Sequence, residues 1–180
     1  MTDQVASWTE PAEQARTASD ADFAGFVAAR HRSLIQMAYL LTQDRHHAED
    51  LVQIALVKSW ESWHRIHGDD PAPYVRRVLL NTYFAWWRRR RSRPEQVVDE
   101  LFETAGTPYQ QVTENTDLFA ALRRLPKRMR AIVVLRYFED LTEIETAAAL
   151  GCSVGTVKSQ SHRALAKLRV DPALVVTEEE

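Results

Sequence analysis

A single cysteine, Cys152, stands among the 180 residues. This excludes an internal disulfide and any metal centre built on several cysteines. Its place in a turn between two helices marks it as a small filler rather than a redox sensor. Glycine is scarce at five, and β-branched runs are few, so the chain favours helices over sheet. No apolar stretch approaches the roughly 20 residues that span a bilayer. The polar N-terminus lacks a signal-peptide core, so a cytoplasmic location without membrane insertion is expected. Metal chemistry is poorly supplied too. His46 and His47, with Glu49 and Asp50, come nearest to a ligand cluster, but adjacent helical residues point about 100° apart and cannot chelate one ion together. No HExxH motif is present, and neither metal, cofactor nor enzymatic activity is expected.

What is present is an uneven distribution of charge. A net charge of −2 looks unfavourable for nucleic acid, but phosphates respond to charges within about a Debye length, roughly 8 to 10 Å. Residues 71–94 hold seven arginines and no acid, residues 94–122 hold six acids and no base, and residues 123–130 hold five bases. Two basic blocks around an acidic one suggest two DNA-contacting modules and a connector.

Residues 142–169, TEIETAAALGCSVGTVKSQSHRALAKLR, read as two helices and a tight turn. Thr142 and Glu145 have capping-box spacing, Gly151 suits a left-handed helix end, and Ser153 can cap the second helix. Ala147, Gly151 and Val157 allow a close crossing, which an ordinary helical hairpin would share. The second helix decides between the two. Val154, Val157, Ala164, Leu165 and Leu168 gather on one side, opposite Thr156, Ser159, Gln160, Arg163 and Lys167. No acid lies between Thr146 and Val170, while Lys158, Arg163, Lys167 and Arg169 are basic. A solvated face would mix Glu with Lys; cations and hydrogen-bonding tips without carboxylates suit a major groove.

The fold class expected is all-α: two small helical domains joined by an acidic, flexible linker. Residues 1–19 read as a disordered tail, 20–92 as the first domain, 93–114 as linker, 115–171 as the second domain and 172–180 as an acidic tail. A first helix should start near Asp20 or Asp22, with Phe23, Phe26, Val27, Leu34, Met37, Ala38 and Leu41 facing the core. Asp44 caps a second, whose inner arc is Ala48, Leu51, Val52, Ala55, Ser59, Trp60 and Trp63. Its other face carries Asp50, Gln53, Ile54, Val57 and Glu61, either a docking patch or a packing face within the domain. Residues 64–73 read as a loop. A third helix runs from Asp70-Pro71 to about Arg91, with Val75, Val78, Leu79, Thr82 and Trp86 buried. Arg77, Asn81, Phe84 and Arg88 lie on its opposite side, a face suited to stacking on unpaired bases, or else a solvated arginine face with Phe84 buried. A short helix is expected around residues 96–102. Leu118, Ala121, Leu122 and Leu125, then Ile132, Val133, Leu135, Arg136 and Phe138 after Pro126, lead into the helix–turn–helix.

Three blocks in order resemble the extracytoplasmic-function (group IV) sigma factors of bacterial RNA polymerase: AEDLVQ at 48–53, PYVRRVLLNTYFAWWRRRR at 73–91, and residues 125–169. NTYFAWWRR and ETAAALG are most similar to the actinobacterial sigma-E-type branch. The resemblance implies an alternative sigma factor that binds core polymerase, through the clamp coiled coil of β′ and the β flap, and promoter DNA. It gives Asp50, Gln53, Ile54 and Val57 a role in polymerase docking. It implies that His64, His67, Arg77, Asn81, Phe84 and Arg88 read the −10 element as single strand. Thr156, Lys158, Ser159, Gln160 and Arg163 would read the −35 element as duplex. Gln160 stands where the wider family often has arginine, and Thr146 where it usually has an apolar residue. An anti-sigma protein holding both domains is compatible with the same faces. The competing reading is a polymerase-independent helix–turn–helix regulator, which would bind operator DNA tightly without core.

Overall fold

The computed structural model describes residues 11–66, 70–91 and 116–174, and all regular structure within them is helical. The expected linker and its short helix, the first ten residues of the N-terminal tail and residues 175–180 lie outside the described residues. Helix α1 spans Pro11–Thr42 and so begins well inside the stretch expected to be a disordered tail. Pro11 suits a first turn, and Ala12, Glu13, Gln14, Ala15 and Arg16 are strong helix formers; propensity carries the helix where no apolar periodicity does. It ends at Gln43, whose φ of 61° places a non-glycine residue in the left-handed region. Its N–H donates to the Tyr39 carbonyl at 2.8 Å, closing the terminus as a glycine would.

Asp44 then caps α2 (Arg45–Trp60) by accepting from the His47 N–H at 2.7 Å. Ala48, Leu51, Val52, Ala55 and Ser59 are buried as the spacing predicts, but Trp60 is 40% exposed. The turn after Trp60 sends Trp63 inward instead, on the short helix α3 (Trp63–Ile66). There its indole donates to Asp22 at 3.3 Å and its ring meets Phe23 and Phe26. The stretch expected to be a loop from residue 64 is therefore helical at its start. Asp70 accepts from the Ala72 N–H at 3.0 Å and opens α4 (Ala72–Arg91).

Helix α4 buries Val75, Leu79, Leu80 and Tyr83. Val78, Thr82 and Trp86, expected inside, are only half-buried, because α4 is covered from two directions, by α2 and by the C-terminal half. That half consists of α5 (Thr116–Arg124), α6 (Lys127–Val133) running into a five-residue π-helical turn (Val134–Phe138), α7 (Glu143–Leu150) and α8 (Val154–Arg169). After α8 the chain makes one more turn: Asp171, 8% exposed, accepts from the Ala173 N–H, and half-buried Leu174 packs on the core. The first residues of the expected acidic tail are thus ordered.

One apolar cluster runs through both halves, from Leu34 on α1 to Leu168 on α8. Ile35 and Leu40, outside the predicted stripe of α1, are buried, as befits a helix covered on more than one side. Among the described residues, specific contacts join the halves. The Arg130 guanidinium donates to the Leu41 carbonyl at 2.8 Å. Arg76 Nε lies 3.5 Å from Glu139 Oε2. Lys127 Nζ sits 3.0 Å from the centroid of the Trp87 ring, and Tyr39 stacks on Phe119 at 4.9 Å.

These contacts give three of the five bases at residues 123–130 a role in the fold, while Arg123 and Arg128 are exposed. Arg130 is 6% exposed and also donates to the Arg123 carbonyl at 2.8 Å, Lys127 lies on Trp87, and Arg124 pairs with buried Asp171. Cations that look solvated in sequence here serve carbonyls, a ring and a carboxylate.

Candidate nucleic-acid interface

Two outward faces carry the candidate residues. On α4, Arg77, Asn81, Arg88 and Arg89 are exposed, three of them on the ridge opposite Val75, Leu79 and Leu80. Phe84 shares the spacing but is half-buried, packed on the core with its ring edge-on to Tyr83 at 5.1 Å. Part of its surface remains beside the arginines, and part belongs to the fold. Lys58 donates to Thr82 at 3.3 Å, tying α2 to α4. His64 is exposed on α3, next to its buried neighbour Trp63. His67 lies outside the described residues.

The second face is the helix–turn–helix. Thr142 and Glu145 form the capping box: the Thr142 N–H donates to Glu145 at 2.7 Å and the Glu145 N–H to Thr142 Oγ1 at 3.2 Å. The Thr142 hydroxyl, donating to the same carboxylate at 2.6 Å, and the Thr142 N–H hold the exposed Glu145 carboxyl below its ordinary pKa. Gly151, at φ 60° and ψ 45°, ends α7, a conformation an L side chain adopts only under strain. Ser153 accepts from the Thr156 N–H at 3.1 Å and opens α8. Ile132, Ala147 and Val157 form a small core at the crossing, with half-buried Cys152 against it. Thr146 is fully buried beside Ala147, and its hydroxyl lacks a hydrogen-bond partner.

On α8, Lys158, Ser159, Arg163 and Lys167 are exposed, and Thr156 and Gln160 are half-buried. Two of these side chains also serve the scaffold: the Thr156 hydroxyl is 2.9 Å from Ser153 Oγ, and Ser159 donates to the Thr156 carbonyl at 3.1 Å. Lys158 is 3.7 Å from Glu143 on α7, a solvent-exposed pair worth little. His162 was not among the predicted readers, yet it is exposed. Its position four residues after Lys158, one helical ridge, is the signal that would have found it. Cations spaced along an exposed helix, with hydroxyl and amide tips between them, can bind phosphates and read base edges.

A third face lies on α2. Asp50 and Gln53 are exposed, with Ile54 45% and Val57 56% exposed. Of the two readings open for this face, packing within the domain is not what is observed. Beside it a groove of about 420 Å³ is lined by Asp20, Phe23, Gln53, Leu56, Val57 and Trp60. Among the described residues, no three His, Cys, Asp or Glu side chains group as metal ligands, and no helix is long and apolar enough to cross a membrane. His47, from the sequence's nearest approach to a ligand set, has its Nδ1 3.2 Å from Asp44 and its ring edge-on to Trp86.

Comparison with known proteins places these faces in a context. Residues 26–93 match the family described as Sigma-70 region 2, and residues 116–168 match Sigma-70, region 4. The chain is 38% identical over 156 residues to an RNA polymerase sigma-E factor of Streptomyces coelicolor, covering 82% of this chain and 84% of the relative. It is 40% identical over 151 residues to its counterpart in Streptomyces avermitilis, covering 82% and 83%. Among solved structures it is similar to the sigma factor RpoE of Bartonella quintana, crystallised with the anti-sigma factor NepR. That match has 28% identity and a TM-score of 0.69, covering 82% of this chain and 94% of that one. The fold is shared with CnrH, solved with the cytosolic domain of CnrY, at a TM-score of 0.60 and 24% identity.

Proposed function

From the premise that this chain belongs to the sigma-70 family of RNA polymerase sigma factors, in its extracytoplasmic-function, sigma-E-type branch, we propose how its three faces divide the work of starting transcription. The protein is an alternative sigma factor that binds core RNA polymerase and directs promoter-specific initiation. Asp50, Gln53, Ile54 and Val57 on α2 dock on the clamp coiled coil of β′, and the C-terminal half engages the β flap. The exposed residues of α3 and α4, with His67 between them, hold the −10 element as separated strand. Unstacking costs a few kcal/mol per base, and a face that binds only the opened form recovers that cost without ATP. Helix α8 reads the −35 element in the major groove, with His162 beside Arg163 as an added contact.

RNA synthesis itself belongs to core polymerase, and this protein supplies selection and opening from within the cytoplasm. An anti-sigma protein is a further partner, by likeness to RpoE, captured with NepR.

The observation that carries this reading is the pair of sigma-70 regions, matched in order on one chain. A polymerase-independent regulator has no use for region 2. The test is Asp50→Arg on α2, an exposed residue. The variant should keep its helical circular dichroism and melting curve but no longer co-elute with core polymerase. Undiminished association with core would reject the docking face.

A further inference from the structure

The last turns of α8 carry cations that the fold does not use. Arg163, Lys167 and Arg169 are exposed, and among the described residues none of them pairs with a carboxylate. Lys158, nearer the start of the helix, has Glu143 of α7 at 3.7 Å. The first acid after the helix, Asp171, is buried and engaged by Arg124 and by the Ala173 N–H. The Leu174 N–H donates to the Asp171 carbonyl at 2.9 Å, and its side chain packs on the core. The chain is thus held against the end of α8 at Leu174. The six residues that follow, outside the described ones, are Val175, Val176, Thr177, Glu178, Glu179 and Glu180.

We propose that Glu178, Glu179 and Glu180 occupy the cations of the last turns of α8 in the free protein, where they stand in for DNA phosphates and compete with them. The proposal rests on the reading of α8 above as a duplex-binding helix. Length decides where the tail reaches. A relaxed segment of six residues spans about 12 to 15 Å. At about 1.5 Å of rise per residue, Arg163 and Lys167 lie within about 9 Å of Arg169 along the helix, and Thr156, Lys158 and Ser159 about 15 to 20 Å away. The carbonyl end of α8 itself repels carboxylates. They settle instead on Arg163 and Lys167, four residues apart on one ridge. The base-reading end of the helix is beyond a relaxed tail.

Phosphate contacts supply affinity and position but carry no sequence information, which comes from base edges. A tail confined to the phosphate-binding cations therefore lowers affinity for every duplex by the same factor and leaves base preference unchanged. The free protein is kept off DNA at large. Core polymerase, by bringing α8 to a promoter at high local concentration, lets phosphates displace the tail.

The experiment compares the full chain with a variant carrying Glu178→Gln, Glu179→Gln and Glu180→Gln, which alters no residue of the helical core. Binding to a short labelled duplex of random sequence is followed by fluorescence anisotropy. At about 50 mM salt the variant should bind about three- to tenfold tighter, the factor set by a tail that is closed about 70 to 90% of the time. At about 500 mM the two should coincide, because exposed ion pairs are screened. The variant's affinity should thus fall more steeply with salt, by about 0.5 to 1 in logarithmic slope. In an Arg163→Gln, Lys167→Gln background the gain should vanish, whereas a general effect of net charge would persist. Without DNA, the backbone amide resonances of residues 163–169 should differ between the two proteins at low salt and merge at high salt. Equal affinities at low salt, a changed base preference, a gain that persists without Arg163 and Lys167, or identical amide resonances would overturn the proposal. Salt-dependent shifts alike in both proteins would assign the cations to another acidic segment and overturn it too. If neither protein binds duplex, the reading of α8 falls instead, and the amide resonances still decide whether the tail lies on it.

Discussion

The Leu41 carbonyl lies in the last turn of α1, where no intrahelical N–H is available to it. Two donors from different halves of the chain serve it: the Tyr83 hydroxyl at 3.1 Å and the Arg130 guanidinium at 2.8 Å. Burial pushes the Tyr83 hydroxyl up to about 12, so it stays a donor throughout the neutral range. Tyr83→Phe removes one donor and should cost about 1 kcal/mol. Arg130→Met also removes donors from the Arg123 carbonyl at 2.8 Å and the Leu125 carbonyl at 3.4 Å. Charge-assisted bonds contribute about 1.5 to 3 kcal/mol each, but relief of a buried cation offsets part of this. Burial already lowers the Arg130 pKa, and its Nε has no partner. The net cost should be about 2 to 3 kcal/mol. In either single variant the carbonyl keeps one donor. In the double variant it has none, and an orphaned buried acceptor costs about 1 to 3 kcal/mol more. Urea unfolding followed by circular dichroism should therefore give a double-variant loss exceeding the sum of the singles by at least about 1 kcal/mol. Additivity within about 0.5 kcal/mol would refute the shared-acceptor account.

Three further outcomes are expected. Thr146→Val, which replaces a buried, unpartnered hydroxyl with a methyl, should stabilise by about 1 kcal/mol and raise Tm by about 2 to 4 °C; calorimetry checks it, and a lower Tm would mean the hydroxyl has a partner. Glu139, with its pKa raised by burial, binds its proton more tightly folded than unfolded. Its contribution is therefore greatest below the ordinary carboxylate pKa and is lost as pH rises through the folded value. Across that interval wild type should lose stability with rising pH relative to Glu139→Gln, and parallel pH profiles would remove the effect. Gln160→Arg should move one position of the −35 preference from adenine toward guanine, as read by holoenzyme selection on randomised duplexes; an unchanged profile would show that residue 160 does not read a base.

Local signals were legible where chemistry and position coincide. The Thr142–Glu145 box, Gly151, the Ser153 cap and the Asp44 cap each rest on one side chain meeting backbone a few residues away, and all form as expected. Ala48, Leu51, Val52, Ala55 and Ser59 of the α2 inner arc were legible from helical spacing, and Trp60 was not, because the turn after it sends Trp63 inward in its place. What depends on the packing of distant segments was not. Ile35, Leu40, Leu80 and Tyr83 are buried because α1 and α4 are covered on two sides, and a single periodic stripe cannot announce a second contact. Arg130 reads as one more cation in a basic run, and only its approach to Leu41, 89 residues away, makes it part of the core. Among the candidate readers, the exposed cations of α4 and α8 followed from periodicity. Phe84 did not, because an aromatic on the boundary of a stripe can serve either side.

Runoff transcription by purified core polymerase, with and without this protein, tests the central claim most directly. The account predicts RNA from discrete start sites only when the protein is added, and loss of those starts when either the −10 or the −35 sequence is scrambled. Starts no more selective than those of core alone would contradict it.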